Sequence, residues 1–337
     1  MSIELVHATR GNLVESIYRG DIAVVNAEGD ILYKAGSPKE KITFIRSAAK
    51  PIQALPVLAS GAVDHYGITE DEYAIFCASH SGELLHTETV RSILQKAGLD
   101  ESYLQCGIHP PVYRKAADEL VRRGIEPSEV HNNCSGKHSG MLTLANYMDW
   151  PLDNYTEIDN PVQQTILDAM EALSGVKKED ILIGVDGCGV PVHGMSVYSM
   201  AKAWANLSTP IYIDKKYSVA AKRIAKAMYK NPLKIAGSKR FCSALIESGQ
   251  GKWINKSGAQ GVYCFGLLDQ NIGIALKIED GNSKAASSAM VEVLDQLGIL
   301  NQKHKKDLSK FHNPKITNHK NEEIGELKPV FSLEKVL

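Results

Sequence analysis

Apolar and polar positions alternate over the first 35 residues. Asn12 to Asn26 reads as one strand, Ala27-Glu28-Gly29-Asp30 as a turn and Ile31 to Lys34 as the partner strand. From Arg46 to Ser60 the period lengthens to that of a helix, with Ile52, Leu55 and Leu58 on one face. Helical periodicity recurs over 69–78, 83–97, 115–123, 138–147, 160–173, 196–206, 216–229 and 240–248. The first of these opens on Thr69 and Glu72, which have capping-box spacing. The pattern then predicts three strands, Lys252 to Lys256, Ala259 to Asp269 and Asn271 to Glu279, and a closing helix over 283–298. Residues 301–337 are polar and rich in Lys and His, with one short extended piece at Leu327-Lys-Pro-Val-Phe331.

Strands near both termini most economically share one sheet. The expected class is therefore α+β: an antiparallel sheet built from N- and C-terminal strands, flanked by helices, with a large, mostly helical insert. Residues 1–300 are expected to form a single catalytic unit, its sheet region 1–45 and 250–300 and its helical region 46–249, with 301–337 a polar C-terminal segment. A chain of 337 residues can bury a sizeable core without staples.

Composition narrows the class without naming a chemistry. Hydrophobic residues at 44% and charged residues at 23% are ordinary for a globular domain. Lys plus Arg is 38 against Asp plus Glu 39, so no basic excess points to a nucleic-acid partner. Nowhere do 18 apolar residues run together, and Glu4 interrupts the N-terminus, so neither a membrane helix nor a signal peptide is expected. The six cysteines are scattered without CxxC pairs, which reads as a reduced, cytoplasmic protein. No GxGxxG follows a strand and no GxxxxGK[ST] occurs, so no nucleotide cofactor is expected on the common loops.

Candidate chemistry begins at Arg46-Ser47-Ala-Ala-Lys50-Pro51. Ser and Lys three apart share a helix face, and a lysine kept neutral by desolvation can take a serine's proton. A helix start adds N–H groups for an oxyanion. As a bare motif Ser-x-x-Lys is weak: it also occurs at Ser174, Ser199 and Ser332, but only Ser47 opens a helix. Lys256-Ser257-Gly258 on a late strand matches the Lys-Thr/Ser-Gly element that accompanies Ser-x-x-Lys in penicillin-recognising enzymes. The third element of that set, Ser-Asp-Asn, is missing, and Ser79-His-Ser-Gly82 stands in its place. A plain strand end with a glycine turn is the competing reading of residues 256–258. Two loops, His131 to Gly140 and Asp186 to Gly194, are dense in polar groups. By spacing, Cys134 with His138 and Cys188 with His193 are either halves of a zinc site or plain buried residues.

Four segments together resemble one family. They are Arg46-Ser-Ala-Ala-Lys-Pro-Ile-Gln-Ala-Leu-Pro56, Ala78-Ser-His-Ser-Gly-Glu83, His131-Asn-Asn-Cys-Ser-Gly-Lys-His-Ser-Gly-Met141 and Gly184-Val-Asp-Gly-Cys-Gly-Val-Pro-Val-His193. The family is the rhizobial-type L-asparaginases (asparaginase II), distinct from the threonine-nucleophile asparaginases. The resemblance implies a fold similar to serine β-lactamases and glutaminases, and hydrolysis of the side-chain amide of L-asparagine. It implies two Ser–Lys pairs, Ser47 with Lys50 and Ser79 with Lys256, and one zinc ion per chain on Cys134, Lys137 and Cys188, with no organic cofactor. It also implies a homodimer acting on a small molecule. Lys256 is followed by Ser257 where the pattern prefers Thr. Arg46, His138 and Asp186 are the candidates for gripping the substrate's carboxylate and ammonium groups. Rival readings are a Ser/Lys hydrolase of glutamine, a β-lactam or an ester, a zinc-water hydrolase, and a non-catalytic metal- or amino-acid-binding module.

Overall fold

The computed structural model describes residues 1–337, which divide into two units. The first comprises Met1–Ala48, Gly194–Thr209 and Ser248–Leu337, the second Ala49–His193 and Pro210–Glu247. Twelve strands occur along the chain: β1 (Ile3–Arg10), β2 (Leu13–Val25), β3 (Ile31–Ala35), β4 (Ile42–Phe44), β5 (Leu182–Val185), β6 (Pro191–Ser196), β7 (Trp253–Gly258), β8 (Val262–Leu267), β9 (Ile272–Ile278), β10 (Lys315–Thr317), β11 (Glu323–Pro329) and β12 (Glu334–Lys335).

In the first unit, nine strands form one antiparallel sheet. Its order is β10-β11-β1-β2-β9-β8-β7, with β3 also on β2 and β12 on β3. The expected union of N- and C-terminal strands is formed by β2 and β9, paired from Gly20 with Ile278 to Val25 with Gly273. β2 changes character midway. Its first half pairs with β1 and is largely exposed, while Gly20 to Val25 is buried. That is why the strand reads first as an alternation and then as the apolar run Ile22-Ala-Val-Val25. The helices Val197–Ser208 and Ser283–Gln296 pack on β8 and β9. Gly273 allows the first of these to approach: a Cβ there would lie 2.1 Å from Ala201 O and 2.3 Å from Ala205 N. Residues 301–337 form the helix Gln302–His312 and strands β10 to β12, and β11 returns to pair with β1, Val6 opposite Pro329.

The second unit is mostly helical and is organised around the helix Ser135–Tyr147. Ser135 through Ala145 are all buried, so this helix has no solvent face. Two glycines in its first turns bring a neighbour very close. A Cβ at Gly136 would meet Ile75 O at 2.3 Å, and one at Gly140 the Phe76 ring at 3.0 Å. The 3-10 turn Ala74–Cys77 therefore lies directly on the helix, and the chain leaves it into Ala78 and Ser79.

The elements differ from the sequence pattern in several places, and β1, β4 and the helix Gln302–His312 are not predicted by it at all. The single helix expected over 46–60 is a 3-10 turn Arg46–Ala49 followed by short helices Lys50–Gln53 and Leu55–Ala59. Pro51 and Pro56 each occupy a first turn, where a missing N–H is tolerated, and a continuous helix would place Pro56 inside it. The helix expected from residue 138 begins at Ser135, because its early positions are glycine and serine and carry no apolar signal. β5, left unassigned, and β6, largely within the segment read as loop, are strands too short and too interrupted by Gly and Pro to show a period.

The capping box at Thr69 and Glu72 is present. Partial burial opposes ionisation of Glu72. Hydrogen bonds from Lys96 (2.6 Å), Ser92 (2.7 Å) and Thr69 (N–H, 2.8 Å) outweigh it and bring the carboxyl down to about 2. A lowered native pKa stabilises the fold above the ordinary carboxylate value, and this is lost as pH falls toward 2. Replacing Glu72 by Gln is expected to cost about 1 kcal/mol at neutral pH. The difference from wild type should shrink steadily below pH 4.5, as urea unfolding at several pH values would show. Gly136→Ala improves helix propensity by about 1 kcal/mol. Its methyl nevertheless strikes a backbone carbonyl, so a net loss of about 1–3 kcal/mol is expected in the same assay.

Candidate functional site

Lys50 starts the helix Lys50–Gln53 in the second unit and is 1% exposed. Burying an amine is tolerated only where every N–H finds an acceptor. Lys50 Nζ meets Ala78 O at 2.5 Å, Asn133 O at 3.2 Å and Ser79 Oγ at 3.1 Å. The two carbonyls can only accept. A neutral amine would spend both N–H bonds on them and turn its lone pair to the Ser79 hydroxyl, whereas an ammonium would donate to all three. The amine is thus held against both the Ser79 hydroxyl and the Cys134 side chain.

The Ser79 loop is held from several sides. Ser79 N–H donates to Ile235 O (3.0 Å) and His80 N–H to Asn133 O (3.2 Å). His80 accepts the Gly82 N–H at Nδ1 (3.2 Å), so its Nε2–H donates to Ser135 Oγ (2.9 Å). The ring stacks on His86 with centroids 5.0 Å apart, and complete burial pushes its pKa well below the usual imidazole value. His80 is a neutral fastener between the loop and the helix Ser135–Tyr147.

Cys134, Lys137 and Cys188 gather beside this loop. Lys137 Nζ donates to Cys188 Sγ at 3.0 Å, and the thiols of Cys134 and Cys188 are themselves in hydrogen-bond contact. Sharing one proton between them, with Lys50 and Lys137 close by, holds Cys134 well below the ordinary thiol range despite its burial. Lys137 is fully buried, which disfavours its charge. The sulfurs of Cys188 and Cys134 and the carboxylate of Asp186 outweigh that and raise its pKa. No three His, Cys, Asp or Glu side chains assemble as a metal cluster. Two sulfurs and an amine nitrogen do assemble, a donor set that suits zinc once Lys137 gives up its proton.

The other expected residues fall as follows. His138 is buried on the same helix and its Nδ1 lies 2.7 Å from Tyr155 Oη. Asp186 is half-buried in a tight turn, its N–H on Val190 O and its carbonyl accepting from Gly189 N–H (both 2.9 Å). Arg46, Ser47 and Lys256 belong to the first unit. Arg46 has φ 53°, a left-handed conformation that a non-glycine residue adopts at a cost of about 1–3 kcal/mol. Ala48 O is held by the buried Trp204 indole N–H at 3.2 Å. β7 ends against this segment: a Cβ at Gly258 would sit 2.7 Å from Ile45 O and 3.2 Å from Arg46 Cβ. The fold thus brings the Lys256-Ser257-Gly258 element alongside Arg46. Lys256 is fully buried and its Nζ donates to Ser257 O at 2.8 Å.

A family model described as L-asparaginase II matches residues 6–329. The chain belongs to the L-asparaginase II family. Membership supports an amidohydrolase. No curated protein sequence matches the chain. Among solved structures the chain is similar to Mglu in its native form in 4.3 M NaCl, at 15% identity and a TM-score of 0.39 over 83% of this chain and 61% of that one. It therefore spans about three fifths of Mglu. It is also similar to a β-lactamase from Mycobacterium bovis (12%, TM-score 0.44, 82% and 94% covered) and to a Bacillus glutaminase (14%, TM-score 0.36, 83% and 91% covered). No helix is long and apolar enough to cross a membrane.

Sequence reading missed the residues that hold the site in place. Asn132 donates to Cys106 O (2.7 Å) and Gly107 O (2.9 Å) and accepts the Cys134 N–H (2.8 Å). It lies within the segment quoted above, two residues before Cys134, so its signal was present but ambiguous. Asn132→Ala would leave these buried groups unpaired and is expected to lower stability by about 3 kcal/mol, measured by urea unfolding.

Proposed function

We propose that this member of the L-asparaginase II family hydrolyses the side-chain amide of L-asparagine to L-aspartate and ammonia through a Ser/Lys-activated acyl-enzyme. The observation that supports the reading is the buried Lys50 amine, held by two carbonyls and in contact with the Ser79 hydroxyl and the Cys134 thiol. In the proposed reaction Lys50 takes the proton of Ser47, three residues earlier in the chain, and Ser47 attacks the amide carbon. The oxyanion is held by backbone N–H groups. Ser79, sharing Lys50 and assisted by Lys256, passes a proton to departing ammonia, a step of a kind worth about 10²–10⁴ in rate. Water then cleaves the aspartyl ester. Arg46, His138 and Asp186 hold the substrate's charged ends. The strained backbone of Arg46 supports a functional role for that segment.

Cys134, Lys137 and Cys188 would hold one zinc ion, which when bound supplies a Lewis-acid anchor for a substrate oxygen. With a serine as nucleophile, the reaction needs no metal-activated water. A homodimer remains part of the proposal, on the family resemblance alone.

A second reading makes Ser79 the nucleophile, favoured by its 3.1 Å contact with Lys50. Ammonia release from L-asparagine separates the two. Ser47→Ala is expected to lose at least about 10³-fold in kcat, roughly 4 kcal/mol of barrier. Retention within about tenfold in Ser47→Ala, with Ser79→Ala inactive, would reverse the roles. A panel containing L-glutamine and a β-lactam tests the substrate. For the metal, elemental analysis of purified protein should find about one zinc per chain in wild type and far less in Cys134→Ala; negligible zinc in both would remove that part of the proposal.

A further inference from the structure

Tyr155 lies in the irregular segment between the helices Ser135–Tyr147 and Pro161–Ser174, within the second unit, and is fully buried. Its ring meets that of His138 edge-on, with centroids 5.5 Å apart. The phenol oxygen accepts the backbone N–H of Gln105 at 2.9 Å and lies 2.7 Å from His138 Nδ1. A backbone N–H can only donate, so the phenol's own hydrogen goes to its other partner, His138 Nδ1. A neutral imidazole carries one N–H. Accepting at Nδ1 therefore places the hydrogen on Nε2.

That Nε2–H has no hydrogen-bond partner, and His138 is 0% exposed. A buried donor left unpaired costs free energy that a bound acceptor recovers. An N–H donor calls for an oxygen acceptor, and a carboxylate of the substrate supplies one.

We infer that Tyr155 is a positioning residue: it fixes His138 in the Nε2–H tautomer, so that His138 donates to a carboxylate oxygen of the substrate and is not a metal ligand. The ligand's identity rests on the amidohydrolase reading above; the tautomer rests on the hydrogen-bond geometry alone.

The test uses the full chain labelled with 15N-histidine. Long-range 15N–1H correlation spectra, with the His138 signals assigned by loss in His138→Gln, are expected to show a bare Nδ1 and a protonated Nε2. Tyr155→Phe is expected to give a mixture of tautomers. Titration with L-aspartate should shift the Nε2 resonance in wild type. In kinetics, His138→Asn should raise KM for L-asparagine about tenfold, equivalent to roughly 1.4 kcal/mol, with less change in kcat. His138→Gln, whose amide nitrogen can stand where Nε2 stood, should recover most of that loss. A protonated Nδ1 in the wild-type spectrum would overturn the inference even if Tyr155→Phe failed to fold, and equal KM values for the Asn and Gln variants would overturn the donor role. Absence of ammonia from wild type would instead remove the asparaginase reading, and the spectra would still decide the tautomer.

Discussion

Burying the amine of Lys50 is the constraint on which the second unit is arranged. An isolated ammonium taken from water into a protein interior costs several kcal/mol even after relaxation, and a neutral amine still needs its N–H groups matched. Two backbone carbonyls, from Ala78 and Asn133, provide that match. They come from distant parts of the chain, and each belongs to a segment pinned by other means. Ala78 follows the turn laid on the buried helix by Gly136 and Gly140, and Asn133 precedes that helix next to the Asn132 lock. What results is an amine that meets a serine hydroxyl and the Cys134 side chain.

The same helix start carries the second group of chemistry. Cys134 caps the helix, and Lys137 and His138 follow in its first turn. Cys134 and Lys137 are bonded to Cys188 and His138 to Tyr155, and Cys134 also reaches the Lys50 amine. Asn133 joins the two groups, its carbonyl on Lys50 and its side-chain oxygen 3.1 Å from Cys134 Sγ. Interactions so closely shared are not additive, and a change at either group will be felt at the other.

In the first unit, close approach again governs the geometry. Gly273 admits the helix Val197–Ser208 onto the sheet, and Gly258 lets β7 end against Ile45 and Arg46. Trp204 on that helix holds Ala48 O, so the Ser47 segment is fixed by a helix and a strand at once. Preorganisation of this kind, by packing rather than by loop flexibility, is what acyl transfer at a serine requires.

Periodicity alone was enough to place the long helices and the C-terminal strands, because each buries one face and repeats it over several turns or alternations. The union of terminal strands in one antiparallel sheet also followed from their position in the chain. The motifs around Ser47, Ser79, Cys134 and Cys188 were legible as residue types in fixed order, and they led to the family. The partnerships were not legible. Lys50 is three residues from Ser47 in sequence, yet its recorded hydroxyl partner is Ser79, because two carbonyls 28 and 83 residues away orient the amine. Tyr155 sits in a segment without period or motif, and only the position of the Gln105 N–H decides which way its hydrogen points. Local sequence sets which groups are available and which elements carry them. Which donor meets which acceptor is a property of segments brought together by burial, and it is decided by the tertiary fold.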